Sequence, residues 1–166
     1  SFTEPSGQLV VLDLADRSLE ERCELGGQPD SSAVAPDGSF VAVAVENERD
    51  EDLNDGALPQ LPAGYVALLR LDGGIPDCGS LIRADLSGLA EVAGEDPEPE
   101  FVAINEANEV AATLQENNHV VVLAADGNVL SHFSAGAVDL EGIDTSEDGR
   151  LEFAGSLAGV RREPDA

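Results

Sequence analysis

Short apolar runs separated by tight turns predict an all-β fold. QLVVLD, FVAVAV, YVALLRL and HVVVLA are each bounded by Gly, Asp, Asn or Pro, which is typical of buried or half-buried strands. Turn sequences such as Pro36-Asp37-Gly38 and Asp126-Gly127-Asn128 supply the positive φ that tight turns need. The apolar residues are mostly Ala, Val and Leu, with no Trp or Met, and small branched side chains favour strands.

An internal repeat indicates how these strands are arranged. Residues 28–47, QPDSSAVAPDGSFVAVAVEN, align without a gap with residues 98–117, EPEFVAINEANEVAATLQEN. In this alignment Pro29 matches Pro99, and Glu46-Asn47 matches Glu116-Asn117. Repeated units bury their apolar faces against their neighbours. A third copy begins at Glu163, so we expect the chain to stop within a unit and to belong to a longer protein.

Each unit contains four predicted strands. The first follows a Pro-acid pair, the second ends in Glu-Asn, and a Gly/Asp turn separates the third from the fourth. Antiparallel four-stranded units repeated radially are the blades of a β-propeller. A stacked β-solenoid would have shorter periods, and a sandwich would not repeat so faithfully. The sequence therefore predicts a fragment of a multi-bladed β-propeller with four-stranded antiparallel blades.

The predicted boundaries follow from this unit. Residues 1–26 form the outer strands of one blade, and residues 27–97 form a blade with a long acidic insertion at Glu48–Gly64. Residues 98–162 form a blade plus a long connection, and residues 163–166 start the next blade. The connection, Ala135–Arg162, is long enough to carry a further strand pair, which the sequence neither predicts nor excludes.

The chain is strongly acidic, with 34 Asp and Glu, eight Arg, no Lys and a formal net charge of −26. This charge excludes nucleic acid and anionic membrane surfaces as partners and favours cations. An acidic, Lys-free surface is also typical of halophilic and high-GC marine bacteria, so solubility is a second explanation, compatible with the first. No apolar run reaches the roughly 18 residues of a membrane span.

The repeat predicts an acidic rim. Strands alternate in direction within a blade, so the start of the first strand and the end of the second lie on one side of the propeller. Oxygen-rich carboxylate clusters suit Ca²⁺ or Mg²⁺. The alternatives are a solvated rim and carboxylates that cap turn amides. The residues predicted to bind a divalent cation here are Asp30, Glu46, Glu100, Glu116, Asn117 and, in the third copy, Asp165.

A second candidate for Ca²⁺ lies near the C-terminus. Asp144, Ser146 and Asp148 occupy positions 1, 3 and 5 of a calcium loop, with Gly at position 6. Position 12, where a bidentate Glu belongs, is Gly155. Asp139, Glu141 or Glu152 would have to complete the site. An acidic β-turn is the alternative.

Cysteines and histidines give weaker signals. Cys23 and Cys78 fit no zinc-ligand spacing. They could form a disulfide in an exported protein, but the predicted blades place them on outer strands that diverge, so the pairing stays open. His119 and His132 are the two histidines, and no G-x-S-x-G elbow is present. Nucleophilic catalysis gets little support, and no catalytic residue is assigned.

Three segments resemble a known family: EPEFVAINEANEVAATLQENNHVVVLAADG, VDLEGIDTSEDG and REPDA. They are similar to bacterial exported propellers of the choice-of-anchor I type, across residues 26–166. Such proteins are described as alkaline-phosphatase-like or as related to the esterase-like phytase group. The resemblance implies an exported, often surface-anchored β-propeller, located outside the cell, in the periplasm or on the cell surface.

Three functional hypotheses follow. The first is a propeller segment whose acidic face binds a divalent cation and serves recognition or scaffolding with a cell-surface partner. The second is a Ca²⁺-dependent phosphoesterase, in which a metal-bound water attacks a phosphorylated small molecule. Eight Arg and no Lys leave few groups to bind phosphate, although bound metal ions could replace them. The third is a purely structural module.

Overall fold

The computed structural model describes residues 4–50 and 52–164, and strands form most of its regular structure. Two short 3₁₀ turns cover Leu53–Gly56 and Cys78–Ser80. In these ranges no helix has the length and apolar character needed to cross a bilayer. The strands are β1 (Gln8–Leu12), β2 (Leu19–Glu24), β3 (Gln28–Val34), β4 (Phe40–Glu46), β5 (Tyr65–Asp72), β6 (Ile75–Pro76), β7 (Ile82–Asp85), β8 (Pro99–Ile104), β9 (Val110–Leu114), β10 (His119–Leu123), β11 (Val129–Ser134), β12 (Ala137–Ile143) and β13 (Gly155–Arg161).

Two antiparallel sheets confirm the predicted blades. The first blade runs β3-β4-β5-β7, with the two-residue β6 paired to the far end of β5. The second blade runs β8-β9-β10-β11. β1 and β2 pair with each other ahead of the first blade. The fold is all-β, and its four-stranded units are those of a β-propeller.

The connection after β11 carries a strand pair, which the sequence left open. β12 pairs with β13 in an antiparallel hairpin. Asn118 ties this hairpin to the second blade, because its Nδ2 donates to the carbonyls of Gly136 at 2.8 Å and Arg162 at 2.5 Å. Its Oδ1 accepts a hydrogen bond from the Ser134 hydroxyl at 2.6 Å.

The apolar core lies between the sheets. Successive side chains of a strand point to opposite faces, and both faces of β4 are buried. Phe40, Ala42 and Ala44 pack in a cluster with residues of β8, β9 and β10. Val41, Val43 and Val45 pack on the other side with Cys23 and Leu25. This two-sided burial explains why the FVAVAV run is apolar throughout rather than alternating.

Cys23 and Cys78 form a disulfide. The expectation that they lie on diverging outer strands was wrong, because Cys78 is not in a strand. It begins the 3₁₀ turn between β6 and β7, and this turn lies against β2, which carries Cys23. The disulfide therefore links the β1–β2 pair to the outer part of the first blade.

The internal repeat contains a one-residue shift. Ala33 pairs with Ala42 in the first blade, whereas Ala103 pairs with Ala111 in the second. The turn between β8 and β9 is one residue shorter than the turn between β3 and β4, as the hydrogen bonds that close the two turns show. The ungapped alignment is therefore correct for β3 and β8 but wrong by one residue for β4 and β9.

Candidate metal centre

Three predicted ligands converge where β3 and β8 begin. Asp30, Glu46 and Glu100 each place one carboxylate oxygen within 4.8 Å of the others. Of the Asp, Glu, His and Cys side chains in the described ranges, these three form the group that could hold a metal ion. Asp30 and Glu100 lie at register shifts near the start of β3 and β8. A bulge leaves its extra residue out of the ladder and re-aims the side chain.

Glu46 lies between the two blades. It ends β4 on the same face as Ala42 and Ala44, the face that packs against the second blade. Its side chain is 8% exposed. The first blade thus supplies Asp30 and Glu46 to the group, and the second blade supplies Glu100.

Without a cation, the three carboxylates of this group repel one another. Burial, first of all, and the negative charges of nearby acids together raise the pKa of Glu46 to about 8; these acids are Asp30, Glu100, Glu116 and Glu48. Burial also raises the pKa of Asp30. Carboxylates this close repel one another when all of them are ionised, so the metal-free group retains a proton at neutral pH. A bound cation reverses this effect by favouring the ionised carboxylates.

Glu116 does not occupy the position predicted for it. Gln28 faces Glu46 across β3 and β4. In the second blade the N–H of Gln115 donates to the carbonyl of Glu98 at 3.1 Å, so Gln115 is the structural equivalent of Glu46. Glu116 is exposed in the following turn. Its charge acts on Glu46, but its carboxylate lies outside the converging group.

Asn117 is buried, and hydrogen bonds to the backbone occupy both ends of its side chain. Its Oδ1 accepts the N–H of Glu98 at 2.8 Å. Its Nδ2 contacts the carbonyl oxygens of Val92, Ala93 and Asp96 at 3.0–3.1 Å. In this structure Asn117 holds the connection between β7 and β8 in place.

The predicted calcium loop lies apart from the rim, between β12 and β13. Both carboxylate oxygens of Asp144 accept backbone N–H groups, one of them that of Ser146. Asp148 and Asp139 each accept a backbone N–H as well, and Glu141 is exposed. Capping of turn amides by carboxylates is what the acidic β-turn, the alternative to a calcium loop, predicts. Asp165 lies outside the described residues.

Comparisons with known proteins place this architecture in a family. The sequence matches the family described as the choice-of-anchor I domain over residues 2–166. The chain belongs to the choice-of-anchor I family. Membership confirms the resemblance read from the sequence and indicates an exported or cell-surface protein. Comparison with curated proteins gives no match.

Among solved structures, the choice-of-anchor I chain is similar to a chain described as Kuenenia stuttgartiensis hydrazine synthase. The TM-score is 0.52 at 16% identity, and the match covers 73% of this chain and 34% of that one. At this identity the similarity shows the fold alone. The present chain spans about a third of the length of that structure's chain.

A buried charged cluster behind the rim was not predicted from the sequence of this choice-of-anchor I domain. Arg49 Nε lies 3.2 Å from Asp96 Oδ2 and 3.5 Å from Glu98 Oε1. Arg49 also donates to the carbonyl of Asp96 at 3.0 Å. Burial and the charge of Asp96 together raise the pKa of Glu98 to about 9, although the guanidinium of Arg49 acts in the opposite direction. The sequence does carry one signal of this cluster: the second copy of the repeat has Glu98 where the first copy has Gln28.

The acidic insertion of the first blade is fastened to the start of the second. Arg49, near the beginning of the insertion, binds Asp96. Gly64, at its end, donates its N–H to the carbonyl of Pro97 at 3.1 Å. A Cβ at Gly64 would lie 2.5 Å from that oxygen, so this crossing requires glycine. Both ends of the insertion thus fix the segment that leads into Glu98 and Glu100.

His119 and His132 form a cross-strand pair on β10 and β11. Their Nε2 and Nδ1 atoms are 2.9 Å apart. Burial lowers the pKa of His119, and the neighbouring His132 lowers it further. The two imidazoles are hydrogen-bonded to each other. This is a structural arrangement, and it differs from that of a histidine base that activates a nucleophile.

Proposed function

We propose that this choice-of-anchor I domain binds a divalent cation of the Ca²⁺ class through Asp30, Glu46 and Glu100, on the rim of an exported or cell-surface β-propeller. The observation that supports the proposal is the convergence of three carboxylate oxygens within 4.8 Å. A donor set made of carboxylates alone suits a hard cation rather than zinc or copper.

Charge and burial support the same assignment. The charged side chains that raise the pKa of Glu46 are all carboxylates. A bound cation would therefore offset the repulsion between these carboxylates and Glu46. Ca²⁺ takes six to eight oxygen ligands in flexible geometry. Three carboxylates supply part of that number, and water or a partner's oxygen atoms supply the rest.

A cation at this place supports recognition or scaffolding. It joins the first blade, through Asp30 and Glu46, to the second, through Glu100. Asp30, one of the residues that would hold the ion, is exposed, so water or a partner could reach the ion from that side. Such an ion would bind an acidic group of a cell-surface partner.

The phosphoesterase hypothesis stays a prediction. Arg49, one of the eight basic side chains, is already paired with Asp96 and Glu98. A phosphate group would therefore depend on the metal ion for its binding. Hydrolysis of p-nitrophenyl phosphate and of a bis-ester, with Ca²⁺ and with EDTA, tests this hypothesis, and absence of Ca²⁺-dependent turnover would exclude it.

Calorimetric titration of the EDTA-treated full chain with Ca²⁺ tests the proposed site. Asp30→Asn and Glu100→Gln should each weaken binding by about tenfold or more, since the number of charged ligands sets the affinity. Glu106→Gln is the matched control, because Glu106 is exposed in the turn at the opposite end of β8. Equal Ca²⁺ affinity in all three variants and the wild type would contradict the proposal.

A further inference from the structure

A cavity of about 240 Å³ lies at one end of the second blade, next to the β12–β13 hairpin. Glu91 and Val92 line it from the connection before β8. His119 and Ser134 line it from the paired ends of β10 and β11, and Arg161 lines it from the end of β13. The cavity is therefore enclosed by three separate parts of the chain.

Hydrogen bonds fix the walls of this cavity. Asn118 Nδ2 donates to the carbonyl of Gly136 at 2.8 Å, and the Ser134 hydroxyl donates to Asn118 Oδ1 at 2.6 Å. The same hydroxyl accepts the N–H of Gly136 at 3.0 Å. On the other wall, Asn117 Nδ2 donates to the carbonyl of Val92 at 3.0 Å. These groups are already paired, so the cavity keeps its shape without a ligand, which lowers the cost of binding one.

Three polar groups of the lining remain unpaired within the described residues. The Glu91 carboxylate and the Arg161 guanidinium have no hydrogen bond or ion pair there, and they do not pair with each other. His119 is 5% exposed. Its Nε2 lies 2.9 Å from His132 Nδ1, whereas its own Nδ1 has no hydrogen-bond partner among the described residues.

The charges of the lining select a kind of ligand. Burial and His132 lower the pKa of His119, and the charge of Glu91 acts in the opposite direction, so Glu91 lies near a ring that is neutral at pH 7. The charges of Glu91 and Arg161 cancel, and the lining therefore favours neither a simple anion nor a simple cation. Two opposite charges that do not pair with each other suit a molecule that carries both.

We infer that this cavity binds a small zwitterion of the α-amino acid class, with its carboxylate on Arg161 and its ammonium group on Glu91. Nδ1 of His119 accepts a further hydrogen bond from the ammonium group when Nε2 donates to the neighbouring imidazole. The ligand's side chain lies against Val92 and Ala137, the apolar part of the lining. The volume is slightly below that of cavities for drug-sized ligands, which suits a molecule of this size. The inference goes beyond cation binding and does not depend on it.

Calorimetric titration of the full chain with L-alanine, L-valine and L-glutamine tests the inference. At least one of them should bind with a Kd of about 1 mM or tighter. The amide of that amino acid lacks the carboxylate, and its N-acetyl derivative lacks the ammonium group. Each should bind about tenfold or more weakly, because one charged hydrogen-bonding group is left unpaired. The amino acid should also shift the imidazole NMR signals of His119.

Substitutions locate the site. Arg161→Gln and Glu91→Gln, both at exposed residues, should each weaken binding of the amino acid by about tenfold or more. Arg150→Gln and Glu106→Gln are the matched controls, because they remove the same charges at exposed residues outside the cavity. The controls should bind the amino acid like the wild type.

Each outcome bears on the inference alone. Equal affinity for the amino acid and both derivatives would overturn the recognition of a zwitterion. Unchanged affinity in both Arg161→Gln and Glu91→Gln would overturn the location, and no binding of any of the three amino acids would overturn the site. The affinity for Ca²⁺ should be the same in Arg161→Gln as in the wild type, so failure here leaves the cation site untouched.

Discussion

The carboxamide oxygen of Asn117 accepts the backbone N–H of Glu98 at 2.8 Å. The nitrogen of the same carboxamide reaches three carbonyls of the connection before β8. One side chain in the turn between β9 and β10 thus fixes the segment that carries Asp96, Glu98 and Glu100. The arrangement of acids at the rim depends on this amide.

Asn117→Ala should destabilise the protein by about 2–4 kcal/mol, because it leaves several buried backbone groups without partners. Asn47→Ala is a matched control. Asn47 is also buried at the end of an inner hairpin, and its Nδ2 donates to the carbonyl of Gln60 at 3.1 Å. We expect about 1 kcal/mol for the control, measured by urea unfolding. Equal losses for the two variants would contradict the role given to Asn117.

The Cys23–Cys78 disulfide closes a loop with a sequence separation of 55. Replacing both cysteines by alanine should lower the free energy of unfolding by about 2–4 kcal/mol, because the cross-link restricts the unfolded chain. The wild type in reducing agent should show a similar loss, whereas the double variant should not respond to the reducing agent. A loss below about 0.5 kcal/mol would contradict this expectation.

Stability in EDTA should fall as the pH rises. The pKa of Glu46 is about 8 in the folded protein, against 4.5 for the ordinary side chain. The folded state therefore holds a proton that the unfolded state releases, and its stabilisation is fully present below pH 4.5 and lost as the pH passes 8. Melting temperatures between pH 5 and pH 9 measure this slope.

Two comparisons sharpen the pH experiment. Glu46→Gln should reduce the slope, and the part that remains comes from Glu98, whose pKa is about 9. Excess Ca²⁺ should raise the melting temperature most at high pH, because metal binding competes with protons for the carboxylates. A melting temperature that rises with pH in EDTA would run against both assignments.

The histidine pair should make the stability of the folded protein rise with pH, which is the opposite of the effect of Glu46. Burial and His132 lower the pKa of His119 below its ordinary value of 6.5, so the unfolded state takes up protons first. The stabilisation is present above pH 6.5 and is lost as the pH falls through the folded pKa. His132→Gln should raise the pKa of His119 partway toward 6.5, since burial remains. Imidazole NMR titration measures this, and no upward shift would contradict the pairing.

The strand pattern could be predicted from the sequence because its determinants are local. Apolar runs bounded by Gly, Asp and Pro correspond to β4, β5, β10 and their neighbours. The β12–β13 hairpin could not be assigned, because its strands are mostly exposed and lack a continuous apolar run. The disulfide could not be assigned either, since it depends on how the turn at Cys78 folds against β2.

The candidate site was predictable in part. Equivalence within the repeat was enough to bring together Asp30, Glu46 and Glu100, which come from two blades. The positions of Glu116 and Asn117 depend on the length of one turn, which an ungapped alignment cannot detect. The partners of Glu98, Asp96 and Arg49 are set by the fold of two connections, so the burial of these charges has no local signature.

The shorter turn between β8 and β9 has a consequence for how sister blades diverge. Side chains alternate along a strand, so the loss of one residue in a hairpin turn shifts every later residue of β9 to the opposite face. It also places Gln115, instead of the adjacent Glu116, opposite the start of β8. Turn length alone can thus exchange an acid for an amide at the rim. A lineage of repeated blades can acquire or lose a carboxylate at this position by insertion or deletion, without a single substitution in the strand.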